Sequence, residues 1–240
     1  VGPGRLKLMA GKVAIITAAS RGIGAACAME LAKRDYRVVL MSTTESVLDL
    51  AKELDGVGLV GNVTNADDML KLVNLAYTSC GRVDALVNNT GHPPKGDLLV
   101  ISDDEWHDAL DLLLMNVIRI TRYIVPIMKE NGGGAIVNIS AFGAQEPNLS
   151  FPTSSVIRSG LSAFTRLFAK RYGQDNIRMN SVLPGFVDSY DVSDEIRQSI
   201  PVGREATVEE IAGTVSFLLS DESSYITGQN LRVDGGMVNI

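Results

Sequence analysis

Short apolar segments rich in β-branched residues alternate with helical patterns along the whole chain. Each helical pattern places apolar residues three and four positions apart, as an amphipathic helix does. This alternation predicts βαβ units, and hence a parallel sheet with helices on both faces. The predicted strands are Val13–Thr17, Arg37–Ser42, Gly58–Gly61, Ala85–Asn88, Ala135–Ile139, Ile177–Leu183 and Leu231–Val233. The predicted helices are Gly22–Arg34, Ser46–Leu54, Ala66–Cys80, Asp103–Lys129, Pro152–Tyr172 and Val208–Leu219.

The charge and the residue counts exclude several classes of function. A formal net charge of −6 provides no basic field for nucleic acid or anionic lipid. Two cysteines and two histidines are too few for a disulfide framework or an ordinary zinc site. No apolar run approaches the ~18 residues of a membrane-spanning helix. We therefore expect a cytoplasmic protein with a small-molecule substrate, without a metal, a nucleic-acid partner or a membrane partner.

The segment Val1–Leu8 precedes a methionine, after which the first predicted strand begins almost at once. We expect this segment to be an expression remnant and Met9 to be the native start. Residues 9–240 contain no internal repeat and no linker, so we predict a single domain.

The loop Thr17–Gly24 leaves the first predicted strand and opens the first helix. Open parallel sheets bind ligands beyond the carboxyl ends of their strands, where the strand order reverses. Glycines in such a loop let backbone N–H groups approach a pyrophosphate, which the helix N-terminus also favours. A helix start and a tight turn would explain the glycines alone equally well. The surrounding strand, turn, helix and second strand favour dinucleotide binding.

Five ordered motifs resemble those of the short-chain dehydrogenase/reductase family, and the resemblance covers nearly all of residues 9–238. The first loop resembles Thr-Gly-x-x-x-Gly-x-Gly with Ala18 at the first glycine, and Asn88–Gly91 resembles Asn-Asn-Ala-Gly. The other matching segments are Ile177–Gly185, Pro201–Arg204, and Tyr225–Gln229 with Val233–Gly236. Within the family, the chain most resembles the 3-oxoacyl-carrier-protein reductases.

The resemblance implies a Rossmann-type, three-layer α/β fold with a doubly wound parallel sheet of seven strands in the order 3-2-1-4-5-6-7. It also implies a homodimer or homotetramer, paired through the helices Asp103–Lys129 and Pro152–Tyr172. Both helices carry more apolar surface than one face of a sheet can cover.

The resemblance further implies a nicotinamide dinucleotide cofactor. A carboxylate at the end of the second strand would bind the ribose of NAD and repel the phosphate of NADP, but no acid occurs there before Glu45. Arg21 is placed to pair with a 2′-phosphate, although it would also serve as a solvated charge at a helix end. We expect NADP(H) in preference to NAD(H). The expected cofactor-binding residues are Thr17, Ala19, Ser20, Arg21, Gly22, Ile23, Gly24, Thr43, Asn62, Val63, Asn89, Thr90, Gly91, Arg158, Pro184, Gly185, Val187 and Ser189.

Three of the cofactor positions depart from the family pattern. Asn62 replaces the usual aspartate that accepts from the adenine amino group, and its amide oxygen can still accept that bond. Ser189 stands where a threonine is usual. The methyl group of Ala18 is tolerated if this residue has a negative φ, and otherwise the turn is strained.

Family members reduce carbonyls with an Asn, a Ser, a Tyr and a Lys. Arg158-Ser-Gly-Leu resembles the family's Lys-Ala-Gly-Leu, which places Arg158 at the lysine and Ser154 at the tyrosine. Counting from neighbouring motifs places Ala141 at the serine and Leu113 at the asparagine. Asn116 lies three residues too far along the chain for the asparagine position.

All four tetrad positions are therefore changed. A slip of one residue would make Ser140 the serine, but residues 149–161 contain no tyrosine. Ser154 is a far weaker acid than a phenol of pKa about 10, and Arg158 supplies donors and charge but does not relay a proton. His92 has a side chain with an unperturbed pKa of about 6.5, which suits a proton donor, although a loop histidine braced by prolines is the simpler interpretation.

Three functions remain open. The first is an NADP(H)-dependent oxidoreductase acting on a carbonyl, alcohol or acyl thioester, with Ser154 and Arg158 as catalytic residues and Ser140 and His92 as further candidates. The second is an enoyl- or dienoyl-thioester reductase, whose enolate needs only oxyanion donors. The third is a catalytically impaired dinucleotide-binding protein that acts as a sensor or assembly partner.

Overall fold

The carboxyl ends of seven parallel strands form one edge of a single sheet in the computed structural model, which describes residues 11–238. The strand order is 3-2-1-4-5-6-7, so the predicted fold class and order are confirmed. The strands are β1 Val13–Thr17, β2 Arg37–Ser42, β3 Val57–Val60, β4 Ala85–Asn88, β5 Gly134–Ile139, β6 Ile177–Pro184 and β7 Asn230–Val233. The predicted remnant Val1–Leu8 and start at Met9 lie outside the described residues.

Helices cover both faces of the sheet. They are α1 Gly22–Lys33, α2 Ser46–Glu53, α3 Ala66–Cys80, α4 Asp103–Leu110, α5 Asn116–Glu130, α6 Pro152–Tyr172, α7 Asp194–Ser199 and α8 Val208–Leu219. Alternate residues of a strand point to opposite faces. Ala14 and Ile16 of β1 accordingly join a core with α1, α2 and α8, whereas Val13 and Ile15 join a second core with α3, α5 and α6. Both faces are buried, which explains the continuous apolar strands.

The region predicted as one helix, Asp103–Lys129, is interrupted in the structure. A five-residue π-helical turn, Asp111–Met115, separates α4 from α5. The amide Nδ2 of Asn116 donates to the Leu112 carbonyl at 2.7 Å, which satisfies a backbone group in the widened turn. Sequence analysis also missed α7, because six residues are too few to show a periodicity. The other boundaries agree with the prediction or differ by one residue, which is within the usual uncertainty at element ends.

Strand register brings the site loops together. Ile16 of β1 pairs with Val87 of β4, and Asn88 pairs with Asn138 of β5. The loops after β1, β4, β5 and β6 therefore leave the same edge, on either side of the point where strand order reverses. Within residues 11–238, no helix combines the length and apolarity needed to cross a membrane. The same residues contain no group of three or more His, Cys, Asp and Glu side chains placed to hold a metal ion.

Candidate functional site

The turn after β1 is bonded to the end of β4. The hydroxyl Oγ1 of Thr17 donates to the Asn89 carbonyl at 2.7 Å, and the Asn89 backbone N–H donates to the same hydroxyl at 2.9 Å. The side-chain amide of Asn89 donates to the Ala18 carbonyl at 3.2 Å. These bonds fix the shape of the turn that sequence analysis assigned to cofactor binding.

Two glycines give the turn its close backbone approaches. A Cβ at Gly24 would lie 2.3 Å from the Ala18 carbonyl oxygen, so no larger residue fits there. Gly22 has a φ of +56°, and a Cβ on it would lie 3.6 Å from Cβ of Ser189. The start of α1 therefore faces the loop after β6. Bare backbone N–H groups at a helix start suit a pyrophosphate.

Ala18 has a φ of +47°, in the left-handed region. Of the two alternatives open for this position, the structure therefore selects the strained one, since a Cβ in this conformation costs roughly 1–2 kcal/mol. The bond from Asn89 to the Ala18 carbonyl contributes to holding the residue there.

The far end of the turn contacts β2 through hydroxyl groups. Oγ of Ser20 and Oγ of Ser42 are 2.8 Å apart, and the backbone N–H of the buried Ala19 donates to the Met41 carbonyl. Arg21 is exposed, and its side chain makes no hydrogen bond or ion pair within residues 11–238. Thr43, the residue after Ser42, is exposed as well. Arg21 thus follows a residue that contacts the end of β2, where no acid occurs before Glu45.

The loop after β3 is arranged around Asn62. Its amide oxygen accepts from the Thr64 backbone N–H at 3.1 Å, so only one lone pair remains for an adenine amino group. The Asn62 backbone N–H donates to Asp68, and Val63 is buried below. After β4, the hydroxyl of Thr90 is buried without a partner in the described chain, whereas Gly91 is exposed.

The loop after β6 is held by β7 and by the segment before α8. A Cβ at Gly185 would lie 2.9 Å from Cα of Asp234, which explains the glycine after Pro184. Val187 is buried and pairs with Ala206 in an isolated bridge. These contacts place Ser189 opposite the start of α1. The close turn, the orphaned hydroxyl of Thr90 and the free guanidinium of Arg21 together fit a dinucleotide.

Ser154 and Arg158 lie one turn apart on α6 and contact each other. Nε of Arg158 donates to Oγ of Ser154 at 3.1 Å, and its Nη1 donates to the Ile139 carbonyl at 2.7 Å. The Arg158 side chain is buried, and this burial lowers the pKa of the guanidinium to about 10. At neutral pH the group therefore remains a buried cation.

The two other tetrad positions carry apolar side chains. Ala141 is half-buried directly after β5, and Leu113 is buried within the π-helical turn. Asn116, which sequence analysis set aside, bonds to this turn and has an amide oxygen that is buried without a partner among residues 11–238. Asn116 directly follows the apolar run Leu112–Met115, and the sequence pattern did not indicate that it would bond to this turn.

Ser140 was the alternative candidate for the serine of the family's tetrad. It is buried at the end of β5, and its hydroxyl has no partner in the described chain. Two residues earlier on the same face of the strand, the Asn138 amide donates to Thr165 of α6. Because strand side chains alternate, Ser140 lies on the face toward α6, and Ala141 on the opposite one.

His92 contacts the loop after β6. Its ring packs edge-on against Tyr190, with the centroids 4.7 Å apart. Burial lowers the pKa of the imidazole, and the charges of Lys95, Arg158 and Arg21 lower it further. The ring is therefore neutral at neutral pH. His92 lines a small pocket together with Pro93, Pro94, Lys95, Phe151, Thr153 and Ser154.

A family-level sequence description, "Enoyl-(Acyl carrier protein) reductase", matches residues 17–238. The chain belongs to the short-chain dehydrogenase/reductase family. It is 34% identical over 241 residues to the 3-oxoacyl-[acyl-carrier-protein] reductase FabG of Thermotoga maritima, covering 95% of this chain and 98% of the relative. It is 35% identical over 237 residues to FabG of Salmonella typhimurium, covering 95% and 97%. Dehydrogenase/reductase SDR family member 4 of Caenorhabditis elegans is 32% identical over 255 residues, with 98% of both chains covered.

Membership makes the chain an oxidoreductase of the short-chain dehydrogenase/reductase type. The family assignment from the sequence motifs is thus confirmed.

Proposed function

We propose that the protein uses NADP(H) to reduce a carbonyl or acyl-thioester substrate, with a proton donor other than the family's tyrosine. The bound dinucleotide supplies the hydride. The observation that carries the proposal is the Arg158–Ser154 contact, 3.1 Å from Nε to Oγ, at the tetrad positions. It provides a buried cation and a hydroxyl where negative charge would develop on a substrate oxygen.

The Ser154 hydroxyl accepts from Arg158, which leaves its own proton available to donate a hydrogen bond to a substrate oxygen. A serine hydroxyl is a poor acid, so this arrangement stabilises an oxyanion better than it protonates one. His92 is a weak acid source as well, because the lowered pKa of its imidazole keeps the ring neutral. These properties favour the enoyl- or dienoyl-thioester alternative, in which hydride adds to carbon and leaves an enolate.

The test is turnover of NADPH with a panel of ketones and enoyl thioesters. We expect enoyl thioesters to be reduced faster than ketones, and Ser154→Ala with Arg158→Ala to abolish this activity. Tight NADPH binding with no turnover of any member would favour the sensor or assembly function instead. Brisk ketone reduction that survives both substitutions would identify another proton donor, and His92→Ala would then be tested first.

NADPH is proposed to bind more tightly than NADH. Arg21 is exposed and follows Ser20, whose hydroxyl contacts Ser42 at the end of β2, and no acid occurs there before Glu45. A charge-assisted bond from its guanidinium to a 2′-phosphate would contribute about 1.5–3 kcal/mol. Arg21→Ala should therefore weaken NADPH binding by roughly tenfold or more and leave NADH binding nearly unchanged. Fluorescence titration measures both affinities. Equal affinities in the unchanged protein would contradict the proposal.

Pairing of two copies through α6 is also proposed. Val156 and Leu167 are exposed and lie three turns apart on one face of α6, with the small residues Gly160 and Ala163 exposed between them. An interface of this kind should bury more than about 1,000 Å². Light scattering should report a dimer or tetramer, and Leu167→Arg should shift it toward monomer. A monomeric unchanged protein at micromolar concentration would refute the proposal.

A further inference from the structure

Three polar side chains lie side by side on neighbouring strands, beneath the loops of the candidate site. Asn88 of β4 pairs in register with Asn138 of β5, which pairs with Ser181 of β6. Their exposed fractions are 5%, 0% and 0%, so the row lies inside the protein. Buried polar groups cost free energy unless they are hydrogen-bonded, so each member of the row requires a partner.

The row is hydrogen-bonded to Thr165 of α6. The Asn88 amide donates to Oδ1 of Asn138 at 2.8 Å, and the Asn138 amide donates to Oγ1 of Thr165 at 3.1 Å. The Thr165 hydroxyl donates to the Leu161 carbonyl at 2.9 Å and lies 2.9 Å from Oγ of Ser181. Because a hydroxyl has one proton, Ser181 is the donor in that last contact. Thr165 therefore uses its proton and both of its lone pairs.

This network joins the two halves of the candidate site. At one end, Asn88 precedes Asn89, which is bonded to the turn after β1. At the other end, Thr165 follows Arg158 by seven residues, about two helical turns, so both lie on the same face of α6. Arg158 donates to the carbonyl of Ile139, which also belongs to β5. Two side chains of α6 are thus hydrogen-bonded to β5, one at each level of the helix.

Apolar contacts alone would hold α6 on the sheet without fixing a single position for it. Apolar attraction is non-directional, and cores accept several packings of similar free energy. A buried network in which every group is bonded specifies one arrangement instead. Groups that act on a substrate must be held within roughly 0.5 Å of their productive geometry. Because Ser154 and Arg158 lie on α6, the network determines how closely they are held.

We infer that Asn138 is a positioning residue for the reaction, because through Thr165 it fixes Ser154 and Arg158 relative to the turn after β1. The inference rests on the proposed function, in which the Ser154–Arg158 pair stabilises charge on a substrate oxygen. Asn138 acts through α6 and makes no contact of its own with the substrate. Its amide is the link between strand β4 and helix α6.

The first experiment removes this link. Asn138→Leu replaces the amide by an apolar group with the same branching, and we expect kcat for an enoyl thioester to fall at least about tenfold. NADPH binding should change much less, because Arg158 is the only expected cofactor contact on α6. Thr165→Val should lower kcat similarly, whereas Thr165→Ser keeps the hydroxyl and should retain most of the activity. The double variant N138L/T165V should lose little more than the worse single variant, since both substitutions break the same bond.

Asn180→Leu is the matched control. Asn180 lies on β6, is 0% exposed, and also makes two bonds, to the Ile226 carbonyl and from the Gln229 backbone N–H. These bonds tie β6 to the segment before β7 and do not involve α6. The control should lower the melting temperature about as much as Asn138→Leu and leave kcat nearly unchanged. A merely structural role of Asn138 would make the two variants alike in kcat as well.

Equal losses of kcat in the two leucine variants, or an unchanged kcat in Asn138→Leu, overturn the inference. If Asn138→Leu does not fold, as its melting curve would show, Thr165→Val is compared with Thr165→Ser, and equal kcat in that pair overturns it. Hydrogen exchange of the α6 amides, measured without substrate or cofactor, does not depend on turnover. Faster exchange around Arg158 in Asn138→Leu than in Asn180→Leu, in a protein that reduces no substrate, supports the positioning and contradicts only the proposed function. Equal exchange there in the two variants overturns the inference whatever the turnover.

Discussion

The triple variant Ala141→Ser, Ser154→Tyr, Arg158→Lys is expected to reduce simple ketones about 100-fold faster than the unchanged protein, or more. A positioned general acid typically contributes about 10²–10⁴-fold in rate, and the unchanged site has none of suitable acidity. The measurement is kcat/KM for a ketone with NADPH.

The existing charges of the site would assist such a tyrosine. Burial lowers the pKa of the His92 imidazole most, and the charges of Lys95, Arg158 and Arg21 lower it further because they disfavour another positive charge. The same field favours a phenolate, and Lys95 and Arg21 are retained in the triple variant. These charges therefore oppose the rise in pKa that burial would give a phenol at position 154. The new ring is expected to enter the small pocket that Ser154 lines together with His92.

The matched control replaces Ser154→Tyr by Ser154→Phe in the same background. It has nearly the same bulk but no acidic proton, so the rate ratio of the two variants isolates the phenol. A ratio near one would mean that the pocket no longer holds a substrate carbonyl at this position. Adding Leu113→Asn is a later step, because it places an amide in a side-chain position that is 1% exposed and costs stability.

The sheet could be predicted from the sequence because its signal is repeated. The central strand β1 is buried on both faces, and its residues Ile15 and Ile16 pack into different cores. A pattern of that kind is compatible with few arrangements other than a covered parallel sheet. The π-helical turn could not be predicted from the sequence. Leu112–Met115 is uniformly apolar, so the spacing of its apolar residues does not distinguish one type of helix from another.

The sequence predicted which positions correspond to the family's tetrad, but it did not predict all the contacts that these residues make. Motif spacing placed Arg158 and Ser154 one helical turn apart, and the structure brings them into contact. The sequence did not show that Arg158 has no acidic partner among residues 11–238, because the absence of a partner depends on the whole environment of the side chain and not on any one position. The contact of His92 with Tyr190 joins residues almost a hundred positions apart, which no local pattern reports.

The left-handed conformation of Ala18 is another feature that the sequence could not predict. The sequence identified an alanine at a glycine position, but the sign of its φ depends on how the turn fits between β1 and β4. The bond from Asn89 to the Ala18 carbonyl, formed across that junction, contributes to fixing it.

Gly24→Ala is expected to destabilise the protein by about 3 kcal/mol, since forced overpacking of a close-packed site costs roughly 1–3 kcal/mol and occasionally more. The new Cβ would lie 2.3 Å from the Ala18 carbonyl oxygen and 2.8 Å from Nδ2 of Asn89. One of those neighbours is backbone, so the turn must move. For a chain of this length, the melting temperature should fall by roughly 6–12 °C.

Gly213→Ala is the control for this substitution. Gly213 lies inside α8, and a Cβ there meets no atom within 4 Å. Replacing a helical glycine by alanine in open space should stabilise the protein by roughly 0.5–1 kcal/mol, so the two variants should shift the melting temperature in opposite directions. Dinucleotide affinity discriminates further, because Gly24→Ala moves the turn that is proposed to hold the pyrophosphate, whereas Gly213→Ala leaves it in place. If Gly24→Ala melts at the same temperature as the unchanged protein, the turn has room for a Cβ at position 24. The short distance to the Ala18 backbone would then not explain why this residue is a glycine.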